Sequence, residues 1–439
     1  MFPNPPDALP LPKRPNLEQY KKLAKELARA AKSGDEAAIL EWSKRWVEAL
    51  IRQSGLEITK HLPVRPERWT RQLADFAKKE LLENKRSITL SNVQYVIARS
   101  EGFESWPKFA KHLENLRKAD SPVSQFEAAA DAIVAGDVTA LKRLLAQNPK
   151  LVHARSSREH GATLLHYVAA NGVEGYRQKT PKNIVEIAKL LLDAGAEIDA
   201  TCDVYGGGCT ALGLAATSIH PANAGVMNDL LQALLDRGAS LDQHNTAGND
   251  QDIVFSCIAN GQPGAARFLA GKGARLDFVS AAALDRLEEV QKHFNSDGTR
   301  KKTLSQKLMQ EGLRYAAGYG ATRVVEFLLQ RGADIAEHRG DGYTATHYAV
   351  MYGHPETVKL LLRHHPPLEG KTIHGRSVLF HALWGARQGD ANDYRQIIEA
   401  LFAAGAKVPE SHPPVTTEID ALLDQHGSRT DPDWHWNDE

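Results

Sequence analysis

Apolar positions along this chain follow two different rhythms. Over residues 16–118 they mark separate amphipathic helices. Leu17, Tyr20, Leu23, Leu27 and Ala31 share one helical face, opened by Asn16 as cap with Gln19 three residues on. Residues 36–50 continue helical until Pro63 and Pro66 break the chain, and 68–82 form a third helix. Ser91 and Gln94 make a capping box ahead of Val96 and Ile97, and Ser105 caps a last helix carrying Trp106, Phe109, Leu113 and Leu116. The pattern predicts a small helical domain over 16–118, preceded by a flexible proline-rich tail at 1–15.

From residue 119 the rhythm is longer. An apolar helix ending in a Gly-Ala turn recurs at Gly195, Gly238, Gly273, Gly332 and Gly405. An earlier signature recurs as TLLHYVAANG from Thr163, TALGLAA from Thr210, TATHYAVMYGH from Thr344 and SVLFHALWG from Ser377; the last two starts lie 33 residues apart. The leading Thr or Ser can cap free backbone N–H groups, and the closing Gly takes the left-handed conformation that ends a helix. This pattern resembles the ankyrin repeat, a β-turn followed by two antiparallel helices. The resemblance implies an all-α solenoid of stacked units, since no unit buries its own apolar face. Eight units are expected, near 125–157, 158–201, 202–245, 246–277, 278–309, 310–338, 339–370 and 371–408, with a capping helix at 415–427. The solenoid thus spans 119–427, and 428–439 is a C-terminal tail.

Thr163 and Thr210 are 47 residues apart, an excess of about 14 over the repeat. The extra residues, GVEGYRQKTPKN, fall between the two helices of the second unit. The third and eighth units are extended at the same point by SIHPANAG and GARQGDANDY. Equivalent positions line up on one edge of such an array, so the first two insertions should touch.

The N-terminal segments LPKRPNLEQYKKLAKELARAAKSGD and LSNVQYVIARSEGFESWPKFAKHLE resemble a helical module that precedes ankyrin arrays in soil-bacterium proteins of unassigned activity. Gln94, Ile97, Ala98, Arg99, Gly102, Phe103, Ser105, Trp106 and Pro107 carry that likeness, which implies partner binding and no catalytic motif.

Charge adds one feature. The 439 residues hold 54 Lys and Arg against 54 Asp and Glu, but 1–118 carry 23 against 15 and 119–439 carry 31 against 39. Contact between a basic N-terminal domain and an acidic array would account for this. Nucleic acid is not the expected partner, because Lys and Arg alternate with Glu along the helices, as on a solvated face. No apolar run is long enough to span a membrane and the N-terminus lacks a secretory h-region, so a cytoplasmic location is expected.

Candidate chemistry is sparse. His166 and His347 occupy T-x-x-H, where a turn-holding role is expected, while Gly213 and Phe380 fill that slot in two units and His381 comes one place late. Cys202 and Cys209 flank a YGGG hairpin tip without the further ligands zinc needs, and Glu57, His61, His364 and His365 are isolated, so no metal or cofactor is expected. Gly206–Gly208 lacks the Lys that completes a phosphate loop, and no hydrolase or metalloprotease motif occurs, so no enzyme is expected.

Binding is the better signal. In ankyrin-type arrays the residue just before the Gly closing the first helix faces the concave side. Those positions hold Asn171, Ser218, Asn260, Tyr319, Tyr352 and Trp384, with Tyr343 on the same face. The favoured function is therefore a protein–protein interaction scaffold whose partner is another protein, bound through the concave face and the insertions. The alternative is a small-ligand or peptide-binding regulatory protein. Its pocket would lie under the insertions of the second and third units, supplied by Tyr176, Arg177, Lys179, Tyr205 and His220.

Overall fold

The computed structural model describes residues 4–56, 66–84, 88–241, 252–387 and 389–434; Glu57 and His61 lie outside them. The chain divides into two compact units, one ending at Leu269 and the other beginning at Ala270.

The first unit opens with five helices: α1 (Leu17–Lys32), α2 (Glu36–Ser54), α3 (Pro66–Lys78), α4 (Leu90–Ser100) and α5 (Trp106–Leu116). Asn16 caps α1 by accepting from the Glu18 N–H, and Thr89, two residues ahead of the expected Ser91, caps α4. The buried stripes of these helices meet around Tyr20, whose ring stands edge-on to Trp46 and Phe109.

The proline-rich segment corrects the expectation of a flexible tail. Ala8 and Leu9 are fully buried, Leu9 N–H donates to the Ser100 carbonyl, and Lys13 N–H donates to the Gln53 carbonyl. Asp7 also accepts from Arg68 and Gln72 of α3, so apolar burial, backbone bonds and a carboxylate together hold the segment against the helices.

Four helix pairs complete this unit. They are α6 (Pro122–Ala135) with α7 (Val138–Gln147), α8 (Leu164–Tyr167) with α9 (Ile184–Asp193), α10 (Ala211–Ala216) with α12 (Met227–Leu235), and α13 (Ile253–Ala259) with α14 (Pro263–Gly271). A short α11 (Ile219–Asn223) occupies the insertion of the third pair. Strands β1 (Thr201–Cys202) and β2 (Cys209–Thr210) pair antiparallel beneath the glycine-rich tip. Within this unit the helix pairs stack on one another through their apolar faces: Leu191, Leu230, Leu234 and Leu269 are all buried.

The second unit continues with α15 (Phe278–Ala283) and α16 (Leu287–Gln291), α17 (Gln306–Gly318) and α18 (Thr322–Gln330), α19 (Ala345–Met351) and α20 (Pro355–Leu362), and α21 (Val378–Ala386) and α22 (Ala391–Ala403). Helix α23 (Thr417–Gln425) packs on α22. The C-terminal segment is not a free tail from residue 428, because Ser428 is buried and β4 (Arg429–Thr430) pairs in parallel with β3 (Ser411–His412). No helix among the described residues is long and apolar enough to cross a membrane.

Candidate binding site

The repeating T-x-x-H signature works through local hydrogen bonds. His166 Nδ1 accepts from the Thr163 N–H at 3.1 Å, and Nε2 lies 3.1 Å from the Cys209 carbonyl, 43 residues on. Nδ1 is thus an acceptor and Nε2 the donor, which is a neutral ring. Burial pushes its pKa down to about 4. His347 caps Thr344 in the same way and is likewise lowered to about 4 by burial, with His381 adding to the effect. His381 stands edge-on to His347 at 5.2 Å and to Tyr343 at 5.0 Å. These histidines organise turns.

The insertion of the second pair folds inward. Its Gly175–Arg177 turn brings the Arg177 guanidinium against Glu127 (2.7 Å), Asp131 (2.7 Å) and Glu174 (3.4 Å). Arg158 reaches the same Glu174 at 2.5 Å and donates to the Tyr176 hydroxyl and to the Glu101 carbonyl. Burial opposes ionisation of Glu174, but the two guanidiniums prevail and hold it well below the usual carboxylate range. At Glu101 burial outweighs the neighbouring Arg158 cation and raises the carboxyl's pKa well above the ordinary value, and Tyr20 donates to it. The network joins α1, α4 and α6 to the second repeat.

That arrangement corrects the expected cation-rich pocket. Arg177 is only 5% exposed and surrounded by carboxylates, so it has no free face for an anion. Tyr176 is turned against the N-terminal helical core. Lys179 is exposed and lies outside the cavity described next.

Tyr205 and His220 do share a cavity of about 530 Å³ in the first unit, together with Asn171, Ile219, Asn260 and Gln262. The Tyr205 hydroxyl donates to Asn171 Oδ1 at 2.8 Å, and Asn171 Nδ2 donates to Thr217 and to the Leu214 carbonyl. Burial lowers the pKa of His220, which favours its neutral form. Gly172, at φ +71°, lets the hairpin close on the helix: a Cβ there would meet Val204 at 2.9 Å and Leu214 at 3.1 Å.

In the second unit the predicted aromatic residues form a strip. Tyr352 is 57% exposed and Trp384 is 41% exposed, with Ile373 exposed on an adjacent turn. Tyr343 is half-buried against Tyr348 (5.8 Å) and His381, and Tyr319 is half-buried. Gly318 packs beside this strip, next to Tyr348 and Tyr352. The concave-face residues expected as one set thus fall into two groups, Asn171 and Asn260 in the first unit and the aromatic residues in the second.

Comparison with known families recognises two stretches of the array. Residues 313–411 match the family model for ankyrin repeats in three copies, and residues 160–203 match the single ankyrin repeat. The chain carries ankyrin repeats. It is also 31% identical over 97 residues to the E3 ubiquitin-protein ligase hecd-1 of Caenorhabditis elegans, a match covering 21% of this chain and 3% of that protein. Among solved structures, the ankyrin repeat domain of Bcl-3, described as a unique member of the IkappaB protein family, is similar at 21% identity and a TM-score of 0.29. That similarity covers 63% of this chain and 97% of that one.

The ankyrin match at 313–411 contains Tyr319, Tyr343, Tyr352 and Trp384, and the match at 160–203 contains Asn171, Glu174 and Arg177. Sequence reasoning missed Arg158, Glu174 and Glu127. Glu174 stands three residues before Arg177 in the insertion, the one local sign of a pair; Arg158 has none.

Proposed function

We propose that the chain is a non-enzymatic interaction protein that binds another protein through the aromatic strip of its second unit. In this reading it works in the bacterial cytoplasm, with the N-terminal helices serving as the module that precedes ankyrin arrays in the proteins they resemble. One observation carries the proposal: Tyr352, Ile373 and Trp384 are three of the four exposed large apolar side chains described from Ala270 onward, and they lie in consecutive repeats. Large rings held with few rotatable bonds are the usual anchors of protein interfaces. Ankyrin repeats generally mediate protein–protein contact, which agrees with this reading.

The test is a pull-down with the intact chain, repeated with Tyr352→Ala/Trp384→Ala. Removal of such anchors costs about 2 kcal/mol or more, roughly thirtyfold in affinity. A partner held equally well by both proteins would place the binding surface elsewhere.

A further inference from the structure

The cavity around Tyr205 differs in chemistry from the aromatic strip. Its volume, about 530 Å³, lies within the range of small-molecule sites, roughly 300–1,000 Å³. Among the described residues, no Asp, Glu, Lys or Arg lines it. Hydrogen-bonding capacity comes instead from amides, hydroxyls and one imidazole.

Some of these groups are committed to the protein and others are available. Asn171 is fixed by Tyr205, Thr217 and the Leu214 carbonyl, and Ser218 donates to the Ala170 carbonyl. Asn260, which lines the cavity, uses its amide N–H on the Ser256 carbonyl, and its amide oxygen is left to accept. The His220 ring and the Gln262 amide have no hydrogen-bond partner among the described residues. Apolar area is concentrated in Tyr205 and Ile219, which are 49% and 55% exposed.

Backbone geometry marks the same place independently. Four non-glycine residues among those described have positive φ, and two of them belong here: Tyr205 at 50° and Ala170, next to Asn171, at 47°. A bulky or β-carbon-bearing residue in that region is disfavoured, and such strain gathers at binding sites, where surrounding contacts hold it. Here the positive-φ residues are Tyr205 itself and the neighbour of Asn171, the two cavity-lining residues joined by the 2.8 Å hydrogen bond.

We infer that this cavity binds an uncharged small molecule with one flat face and several hydrogen-bonding groups, the chemistry shared by a nucleoside base and a sugar ring. The flat face lies on Tyr205 and Ile219, and the polar edge meets Asn260, Gln262 and His220. A phosphate or carboxylate would lose water without gaining a cation, so charged derivatives gain nothing. The site lies within the first unit and does not rest on the protein-binding strip.

The experiment titrates the intact chain calorimetrically with adenosine, uridine and methyl glucoside, with AMP as charged control. Isoleucine methyl NMR follows Ile219, with Ile373 as the reference outside the cavity. At least one uncharged probe should bind, shift Ile219 and leave Ile373 in place, and the class that binds identifies the source. AMP should bind no more tightly than adenosine. Tyr205→Ala, at an exposed tip, and Asn260→Leu, on a separate helix, should each weaken binding tenfold or more while the Ile373 signal stays native. The inference is overturned if no uncharged probe moves Ile219 at millimolar concentration. A tenfold preference for AMP, or full affinity in both variants, overturns it equally.

Discussion

Arg177 and Glu127 are 50 residues apart in sequence and 2.7 Å apart in space, both nearly closed to solvent. Asp131 and Glu174 complete the shell around the guanidinium, and Arg158 shares Glu174 from the other side. An arginine placed this way is a joint between the insertion of the second repeat and α6. Replacing it leaves buried carboxylates without their counter-charge. Arg177→Ala should therefore destabilise the chain by about 3–5 kcal/mol in urea unfolding. A change of only a few tenths of a kcal/mol would mean that the pair is solvated and that Arg177 is free to meet a ligand after all.

Acid should destabilise the chain well before its carboxylates titrate. His112, His166 and His347 are all buried, and burial lowers each to about 4. In the unfolded chain each takes a proton near 6.5. The unfolded state thus binds more protons between those values, so stability is complete above about pH 6.5 and falls as the pH drops toward 4. At 1.36 kcal/mol per pH unit, each histidine is worth up to about 3 kcal/mol. Urea unfolding of the wild type and of His166→Gln/His347→Gln should show a shallower pH dependence in the variant between pH 6.5 and 4.5. Parallel profiles would rule out neutral histidines as the cause.

The sequence revealed the repeat architecture because its signals are local. A Thr capping a helix, a His three residues later and a Gly closing the turn act within a few residues, so Thr163–His166 and Thr344–His347 were legible before any contact was known. Arg177 was misread because its partner Glu127 lies in another helix, and no local spacing separates a ligand-facing arginine from a buried one. The segment at 1–15 looked like a tail because it is rich in proline, yet Leu9 within it is fully buried. The cavity was half legible. Tyr205 and His220 stood out as an aromatic and an imidazole in extended loops, whereas Gln262 and Ile219 carry no distinguishing pattern.

The three-leucine helices test the register of stacking. Of Leu190, Leu191 and Leu192, only Leu191 is fully buried; likewise Leu234 is buried but Leu235 only partly, and Leu328 is buried but Leu329 only partly. Leu191→Ala, Leu234→Ala and Leu328→Ala should each cost about 2–5 kcal/mol. Leu192→Ala, Leu235→Ala and Leu329→Ala should cost distinctly less in the same unfolding experiment. Equal losses within each neighbouring pair would contradict the helix rotation described here.

The last prediction concerns how the N-terminal helices are held. Opposite net charges on 1–118 and 119–439 suggest a surface attraction, which would fade with salt over a Debye length of roughly 8 Å at physiological ionic strength. The contacts found are of another kind. Arg158, from the second repeat, is 3% exposed, lies over the Phe103 ring and donates to the Glu101 carbonyl, while the Tyr20 hydroxyl donates to the Glu101 side chain. His112 of α5 meets Ser157 at 2.7 Å. Buried pairs are screened far less than exposed ones, so the junction should survive salt that dissolves surface attraction. Arg158→Ala removes the cation and leaves Glu174 and the Glu101 carbonyl without it, at a cost of about 3–5 kcal/mol. Limited proteolysis of the wild type should give the same N-terminal protection at 0.05 and 0.5 M salt, and Arg158→Ala should lose that protection at both. Protection that disappears with salt in the wild type would return the junction to surface charge and take the buried network out of the explanation.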